Sequence, residues 1–420
     1  MSDWEHIILL SADALRADHL SCYGYHRNTS PEIDELAADS IQFSNAYSAS
    51  SHTREAVPSL LTGRYPENAV DENYHLAAKP ISSIASQAGF ETAGFHSNPF
   101  LSRSYGFGRG FDEFDDDLHL GQHKLVALAQ RAIDKLRNRH YARADEINKR
   151  ALNWIDSLNE GESFFLWNHY MDTHGPYEPP GEYGTVFREE RVSDSEAQAL
   201  YQRAIDDPQS ITEGERQLLV DYYDGEIRYN DEKIGSFLDA LAERGLLEDS
   251  LVIFTADHGD AFGERGYYEH PRFLHEELTH VPLLVRSPGG TTGEVTTPVS
   301  TLDITATIEA EISPKEWSTG KSLLTISEGD RAVFSQAQGE NDESHLRRYG
   351  VQTKQNTCFC EYNRETGDID FGECTDRSLR DELRTHIDED RGHGEDEDGI
   401  ESEDVDPEIE RRLDALGYKD

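Results

Sequence analysis

Residues 251–270 run LVIFTADHGDAFGERGYYEH. The apolar and β-branched run Leu251 to Thr255 predicts a buried parallel strand. It leads into Asp257-His258-Gly259, residues that packing does not account for. In open α/β sheets the ligand crevice lies just beyond the carboxyl ends of the strands. A carboxylate and an imidazole side by side at such an end can both reach one cation, because the turn breaks the alternation of faces. Gly259 and Gly263 let the backbone leave tightly. Alone, the pair reads more readily as a helix cap followed by a surface histidine. Three other stretches supply further parts of a metal-and-anion site.

The 420 residues carry 83 acidic against 39 basic side chains, a net charge of −44. Nucleic acid and anionic membranes are thereby disfavoured as partners, since repulsion from their phosphates adds to self-repulsion. Arg outnumbers Lys, and acidic residues spread along the whole chain. This balance suggests a halophilic protein, working where salt screens its charges. No segment approaches the ~20 apolar residues of a membrane span. The first residues, MSDWEHIILLSAD, lack the basic-then-apolar pattern of a secretory leader, so a cytoplasmic location is expected. Cys22, Cys358, Cys360 and Cys374 lack the paired spacing of a structural zinc site. Buried thiols are expected, with a Cys358–Cys374 disulfide the less favoured alternative.

Strand-like and helix-like stretches alternate through the first three quarters of the chain. Strands are expected at 6–13, 91–98, 163–170, 251–255 and 280–288, and helices near 31–38, 81–88, 123–159 and 218–247. Residues 99–123 read as a Gly- and Asp-rich surface loop, and 187–215 as an exposed helical insertion. The alternation predicts an α/β domain over 1–312, its mostly parallel sheet sandwiched by helices. Beyond it RAVFSQAQ, RRYGVQT and NTCFCEYN predict a small antiparallel subdomain over 313–386. Residues 387–420 form an acidic tail, expected to be mobile.

Asp13 stands where the first strand ends and can serve as a hard oxygen ligand. In SSHTREAVPSLLTGRYP, Thr53 precedes a helix-like run. A hydroxyl there meets the free N–H groups and positive dipole that favour an anionic ester; it could equally be a plain helix cap, and Ser50, Ser51 and His52 compete with it. HYMDTHGPYEPP brings His169 and His174, residues that can bind an oxyanion or protonate a leaving alkoxide. His270 and His275 follow the organising stretch. Lone histidines are more often structural, so His169 and His275 rank low.

DALRADHLSCYGY, PSLLTGRYP, HYMDTHGPYEPP, YDGEIRYND, FTADHGDAFGERGYYEH and EELTHVPLLVRSPG occur in that order. Together they resemble the sulfatase family of the alkaline phosphatase superfamily, over roughly residues 5–320. The resemblance implies an alkaline-phosphatase-like fold and one divalent cation (Ca2+, Mg2+, Mn2+ or Zn2+). Asp13 matches the family's first metal-binding Asp, although the second Asp that many sulfatases carry is Ala14 here. Asp257 and His258 match the second ligand pair. His174 matches the histidine that contacts the sulfate or phosphate, and His270 the basic residue assisting the leaving group.

The sequence departs from the family at the nucleophile. Sulfatases carry Cys or Ser in C/S-x-P-S-R, converted to formylglycine; nine residues before Thr62 that position holds Thr53. Threonine cannot become formylglycine, so formylglycine is not expected. TREAVPSLLTG is closer to phosphoglycerol- and phosphoethanolamine-transferase members that attack with Thr, and the acidic composition suggests a haloarchaeal type. The expected metal set is therefore Asp13, Thr53, Asp257 and His258, with Arg54, His174 and His270 acting on the ester. The expected activity is hydrolysis of a small anionic ester, a sulfate or phosphate (di)ester, through a covalent intermediate on Thr53. A phosphoryl-alcohol transferase and a non-catalytic binding protein are the alternatives. Nothing in the sequence fixes the oligomeric state.

Overall fold

A computed structural model of the protein describes residues 4–118, 141–313, 315, 317–340 and 343–390. The part of the helix expected over 123–159 that precedes residue 141, and the tail from residue 391, lie outside the described residues.

The first strand shows why this sheet must be central. In β1 (His6–Ala12) all seven residues are buried, so both faces need cover. The same holds for the strands Phe164–Tyr170 and Ser250–Ala256. The remaining strands of this sheet are β2 (Ile41–Phe43), β3 (Glu91–Phe95), β4 (Glu113–Asp115), β5 (Phe164–Tyr170), β6 (Ser250–Ala256), β7 (Leu283–Arg286) and β8 (Gly293–Val295). They pair in the order β8-β2-β7-β6-β1-β5-β3-β4. Only β7 runs against the others, pairing antiparallel with both β6 and β2. Residues 257–282, which join it to β6, hold two short strands and the short helix Glu276–Thr279 but no long helix that would carry the chain back across the sheet.

The covering helices include α1 (Pro31–Ala38), α2 (Thr53–Thr62), α3 (Ala144–Ile155), α4 (Asp194–Asp206), α5 (Glu213–Glu243) and α6 (Leu302–Ile312). Ser193 with Glu196 and Thr212 with Glu215 form capping boxes that start α4 and α5. The insertion expected to be exposed thus contains a helix that buries Ala197, Leu200, Tyr201 and Ala204. The loop expected on the surface at 99–123 is also corrected where it is described. Its glycines and aspartates make turns, while Phe100, Leu101, Tyr105, Phe107 and Leu118 between them enter the main core. Among the described residues no helix is long and apolar enough to cross a membrane.

The C-terminal sheet is antiparallel and contains β9 (Val333–Gln338), β10 (Leu346–Gln352), β11 (Thr357–Asn363) and β12 (Ile369–Asp370). Helix α7 (Arg377–Asp390) packs Leu379, Leu383 and Ile387 onto it, enclosing a second apolar cluster. The first four residues of the expected acidic tail are therefore helical. Cysteines 358 and 374, expected mainly as thiols, form a disulfide with their Cα atoms 5.3 Å apart. The spacing that argued against a zinc site does not constrain two cysteines that the fold brings together. Cys22 and Cys360 remain free.

His386 of α7 is 8% exposed, stacks on Phe334 with ring centroids 4.1 Å apart, and takes the Gln336 amide at 3.0 Å. Burial pushes its pKa down to about 4. Stability from a neutral His with a lowered pKa is full above its unfolded value of ~6.5 and is lost as pH falls towards the folded value. His386→Gln should therefore flatten the fall of the unfolding midpoint between pH 7 and pH 5, by about 2 kcal/mol in stability. Equal slopes in wild type and variant would contradict this.

Candidate active site

Strands β1 and β6 pair in parallel with Ala12 opposite Ala256, so Asp13 and Asp257 leave the sheet side by side. Both are fully buried. The Asp257 Oδ1 accepts the backbone N–H groups of Ala14 at 3.1 Å and His258 at 2.8 Å. Ala14 reaches it by adopting φ 55°, an uncommon left-handed conformation for a residue with a side chain. Asp13 Oδ2 accepts Asn98 Nδ2 at 2.7 Å and faces His169 Nε2 at 3.2 Å. The other two oxygens, Asp13 Oδ1 and Asp257 Oδ2, have no hydrogen-bond partner among the described residues.

His258 meets those two oxygens. Its Nδ1 donates to the Gly259 carbonyl at 2.9 Å, which leaves the Nε2 lone pair free. Nε2 lies 3.6 Å from Asp13 Oδ1, 3.5 Å from Asp257 Oδ2 and 3.1 Å from Thr53 Oγ1. A ligand atom from each of Asp13, Asp257 and His258 lies within 4.8 Å of the others. Gly259 is required here, since a Cβ on it would stand 2.3 Å from the Glu277 carbonyl oxygen. Two orphaned acceptor oxygens would each cost about 1–3 kcal/mol in a dry site. A divalent cation satisfies both, and the oxygen-imidazole donor set suits one.

Charge points the same way. Burial raises the pKa of Asp257, and the neighbouring Asp13 carboxylate raises it further. Burial pushes Asp13 upward too, but the imidazoles of His174, His169 and His258 outweigh it and hold that carboxyl low. For His258 burial lowers the pKa, and Asp257 and Asp13 overcome it. The cluster draws positive charge towards itself.

Thr53 opens α2 at full burial. It does not cap the helix. The cap is His52, whose Nδ1 accepts the Arg54 N–H at 3.2 Å, so the Thr53 hydroxyl is left to face His258. Among the competitors, Ser50 Oγ is 3.2 Å from Glu55 Oε2, and the buried Ser51 hydroxyl has no hydrogen-bond partner among the described residues. Arg54 lies over the Phe100 ring at 4.0 Å and beside Tyr74. The His270 ring is 4.5 Å from His258 and 5.1 Å from His174. Burial and then His258 push the His270 pKa down to about 4, while its Nδ1 faces Asp260 Oδ1 at 3.4 Å.

The structure thus gathers Asp13, Thr53, Asp257, His258, His174 and His270, with Arg54 turned onto the aromatic wall. His275 is elsewhere, bonded to the Tyr267 hydroxyl and stacked near Phe273. His169, ranked low from sequence, belongs to the cluster through Asp13. Asn98 and Asp260 were missed. Asn98 had one signal, a strand ending on polar residues, whereas Asp260 looked like one acidic residue among many.

Residues 5–310 match the family model described as Sulfatase. The chain is 25% identical over 376 residues to an uncharacterized sulfatase, YidJ, of Escherichia coli, covering 80% of this chain and 74% of that one. It is 27% identical over 337 residues to an arylsulfatase of Clostridium perfringens, covering 68% and 69%. In structure it resembles the phosphonate monoester hydrolase of Agrobacterium radiobacter, with a TM-score of 0.70 at 18% identity, covering 93% and 96%.

Metal content after dialysis against EDTA and re-addition of each cation checks the ligand set. One ion per chain is expected for wild type and none for Asp257→Asn. Asn98→Ala, which removes a partner of Asp13, should weaken binding about 10- to 100-fold. Full occupancy in Asp257→Asn would place the ion elsewhere.

Proposed function

The chain belongs to the sulfatase family of the alkaline phosphatase superfamily, and from that premise we propose that it hydrolyses a sulfate or phosphate ester through a covalent intermediate on Thr53. The observation that carries this reading is the Thr53 hydroxyl, buried at a helix start and 3.1 Å from His258 Nε2 among two partnerless carboxylate oxygens. A plain capping threonine would not be placed there.

Asp13, Asp257 and His258, with Thr53, would hold one divalent cation (Ca2+, Mg2+, Mn2+ or Zn2+), which when bound lowers the hydroxyl pKa and offsets charge on the ester. Thr53 Oγ1 gives up its proton to solvent and attacks phosphorus or sulfur in line with the leaving oxygen. The bond to that oxygen breaks, and His270 gives it a proton. Burial and then the His258 imidazole depress the His270 pKa, and the negative charge of the bound ester opposes both, so that His270 holds its proton in the complex. His174, packed against His270, hydrogen-bonds a non-bridging oxygen, and Arg54 contributes positive charge at the flank. Water then displaces the group from Thr53 and gives one of its protons to His270, while the Thr53 oxygen regains its proton from solvent. Asn98 and His169 hold Asp13 in place throughout. Since threonine cannot become formylglycine, attack by the unmodified hydroxyl is the chemistry this chain retains.

Hydrolysis of p-nitrophenyl sulfate and bis-p-nitrophenyl phosphate in concentrated salt tests this. Thr53→Ala and Asp257→Ala should each lower kcat by at least about 10³-fold on whichever ester wild type cleaves, the scale on which a nucleophile acts. Release of inorganic sulfate from the first ester or of p-nitrophenyl phosphate from the second, with no transfer to added glycerol, is expected. Turnover surviving Thr53→Ala would move the nucleophile to Ser50 or Ser51.

A further inference from the structure

We propose that Glu55 is a positioning residue, through which the C-terminal sheet locks the Thr53 helix against the segment carrying His270. The proposal rests on the hydrolase reading for its kinetic consequences, while its geometry stands apart from it.

Glu55 is the third residue of α2 and only 1% exposed. A carboxylate so deep in the fold needs charged or N–H partners to offset its lost hydration. The partners come from three separate parts of the chain. Ser50, just before the nucleophile, donates its hydroxyl at 3.2 Å. Arg272, two residues after His270, donates Nη1 at 3.2 Å. From the C-terminal sheet, the Gln338 N–H is 3.3 Å from each Glu55 oxygen, and Arg347 Nη2 is 3.6 Å from Oε1.

The same sheet grips both flanks by other bonds. Strand β9 sends the Gln336 N–H to the Ala49 carbonyl at 2.8 Å and the Ser335 hydroxyl to the Ser48 carbonyl at 2.6 Å. On the other side, the Arg272 N–H reaches Glu340 at 2.8 Å, and Arg348 reaches the Arg272 carbonyl at 3.4 Å. Glu55 is where these two sets of bonds converge. Its charge also lies in the first turn of α2, where the helix dipole favours it. The segments so joined carry the attacking oxygen and the leaving-group imidazole. In-line displacement is sensitive to their separation, and a displacement of about 1 Å can cost 10²-fold in rate. Glu55 touches neither reacting atom and acts through Arg272 and Ser50.

The test uses full-length protein and paired aryl esters of the acid that wild type cleaves, one with a p-nitrophenol and one with a phenol leaving group. Glu55→Gln keeps the shape but removes the charge that holds Arg272. A His270 out of place hurts the poor leaving group most, since phenol needs the proton and p-nitrophenol hardly does. The expected kcat loss is about 10²-fold with the phenyl ester and about tenfold or less with the p-nitrophenyl ester, with metal content unchanged. Equal losses on both esters, or none, would overturn the proposal, because a purely structural defect lowers the active fraction alike for every substrate. Should Glu55→Gln fail to fold, Arg272→Lys, which keeps the charge but not the guanidinium geometry, should show the same inequality. Histidine ring NMR needs no turnover: Glu55→Gln should shift the His270 and His52 signals and leave His386 unmoved. An unmoved His270 signal would overturn the proposal even if the ester reading had failed.

Discussion

Two carboxylates at the ends of neighbouring parallel strands, sealed from water, set the terms for the rest of this molecule. Asp13 and Asp257 are adjacent because β1 and β6 are paired in register. Like charges at such range cannot both stay ionised in a dry site without positive partners. The chain supplies His258, His169 and His174 close by, and it leaves one oxygen of each carboxylate unpartnered beside the His258 lone pair. A cation answers that arrangement, and the hydroxyl of Thr53 is held at its edge.

The surrounding fold makes the arrangement tolerable. Parallel strands buried on both faces end together, so residues hundreds of positions apart meet at one rim. Helix α2 points its start at that rim and uses His52 as its cap, which leaves the Thr53 hydroxyl facing His258. Buried ion pairs then hold the loops around it. Arg143 spans Asp172 and Glu226 behind His174, with the Glu226 contact at 2.8 Å. Burial raises the pKa of Asp172 to about 7 in spite of Arg143, the mark of a carboxylate set deep in the fold. The C-terminal sheet closes the other side through Glu55, Arg272 and Arg347.

Much of this was legible in the sequence. The β6 stretch displays its burial as an unbroken apolar run and its chemistry as the polar residues that stop it. Asp13, Asp257 and His258 were readable for that reason, and Thr53 by its spacing from Thr62. The antiparallel direction of β7 was not, because an apolar strand reads alike in either direction. Nor was the burial of residues 99–118, whose glycines and aspartates mask the aromatics between them. His169 sits inside a strand that looks wholly apolar, so nothing local separates a partner of Asp13 from a packed core histidine. The Cys358–Cys374 bridge depends on a turn that places Cys374 beside β11, which spacing cannot reveal. Glu55 is one acidic residue among 83, distinguished only by the three segments that converge on it.

The central claim is that Thr53 carries the covalent intermediate. Its most direct test is acid quench of the metal-loaded protein during turnover, followed by peptide mapping by mass spectrometry. The account predicts a phosphoryl or sulfuryl group on Thr53, absent from Asp257→Ala. The same group on Ser50 or Ser51, or steady turnover with Thr53 unlabelled at every quench time, would contradict it.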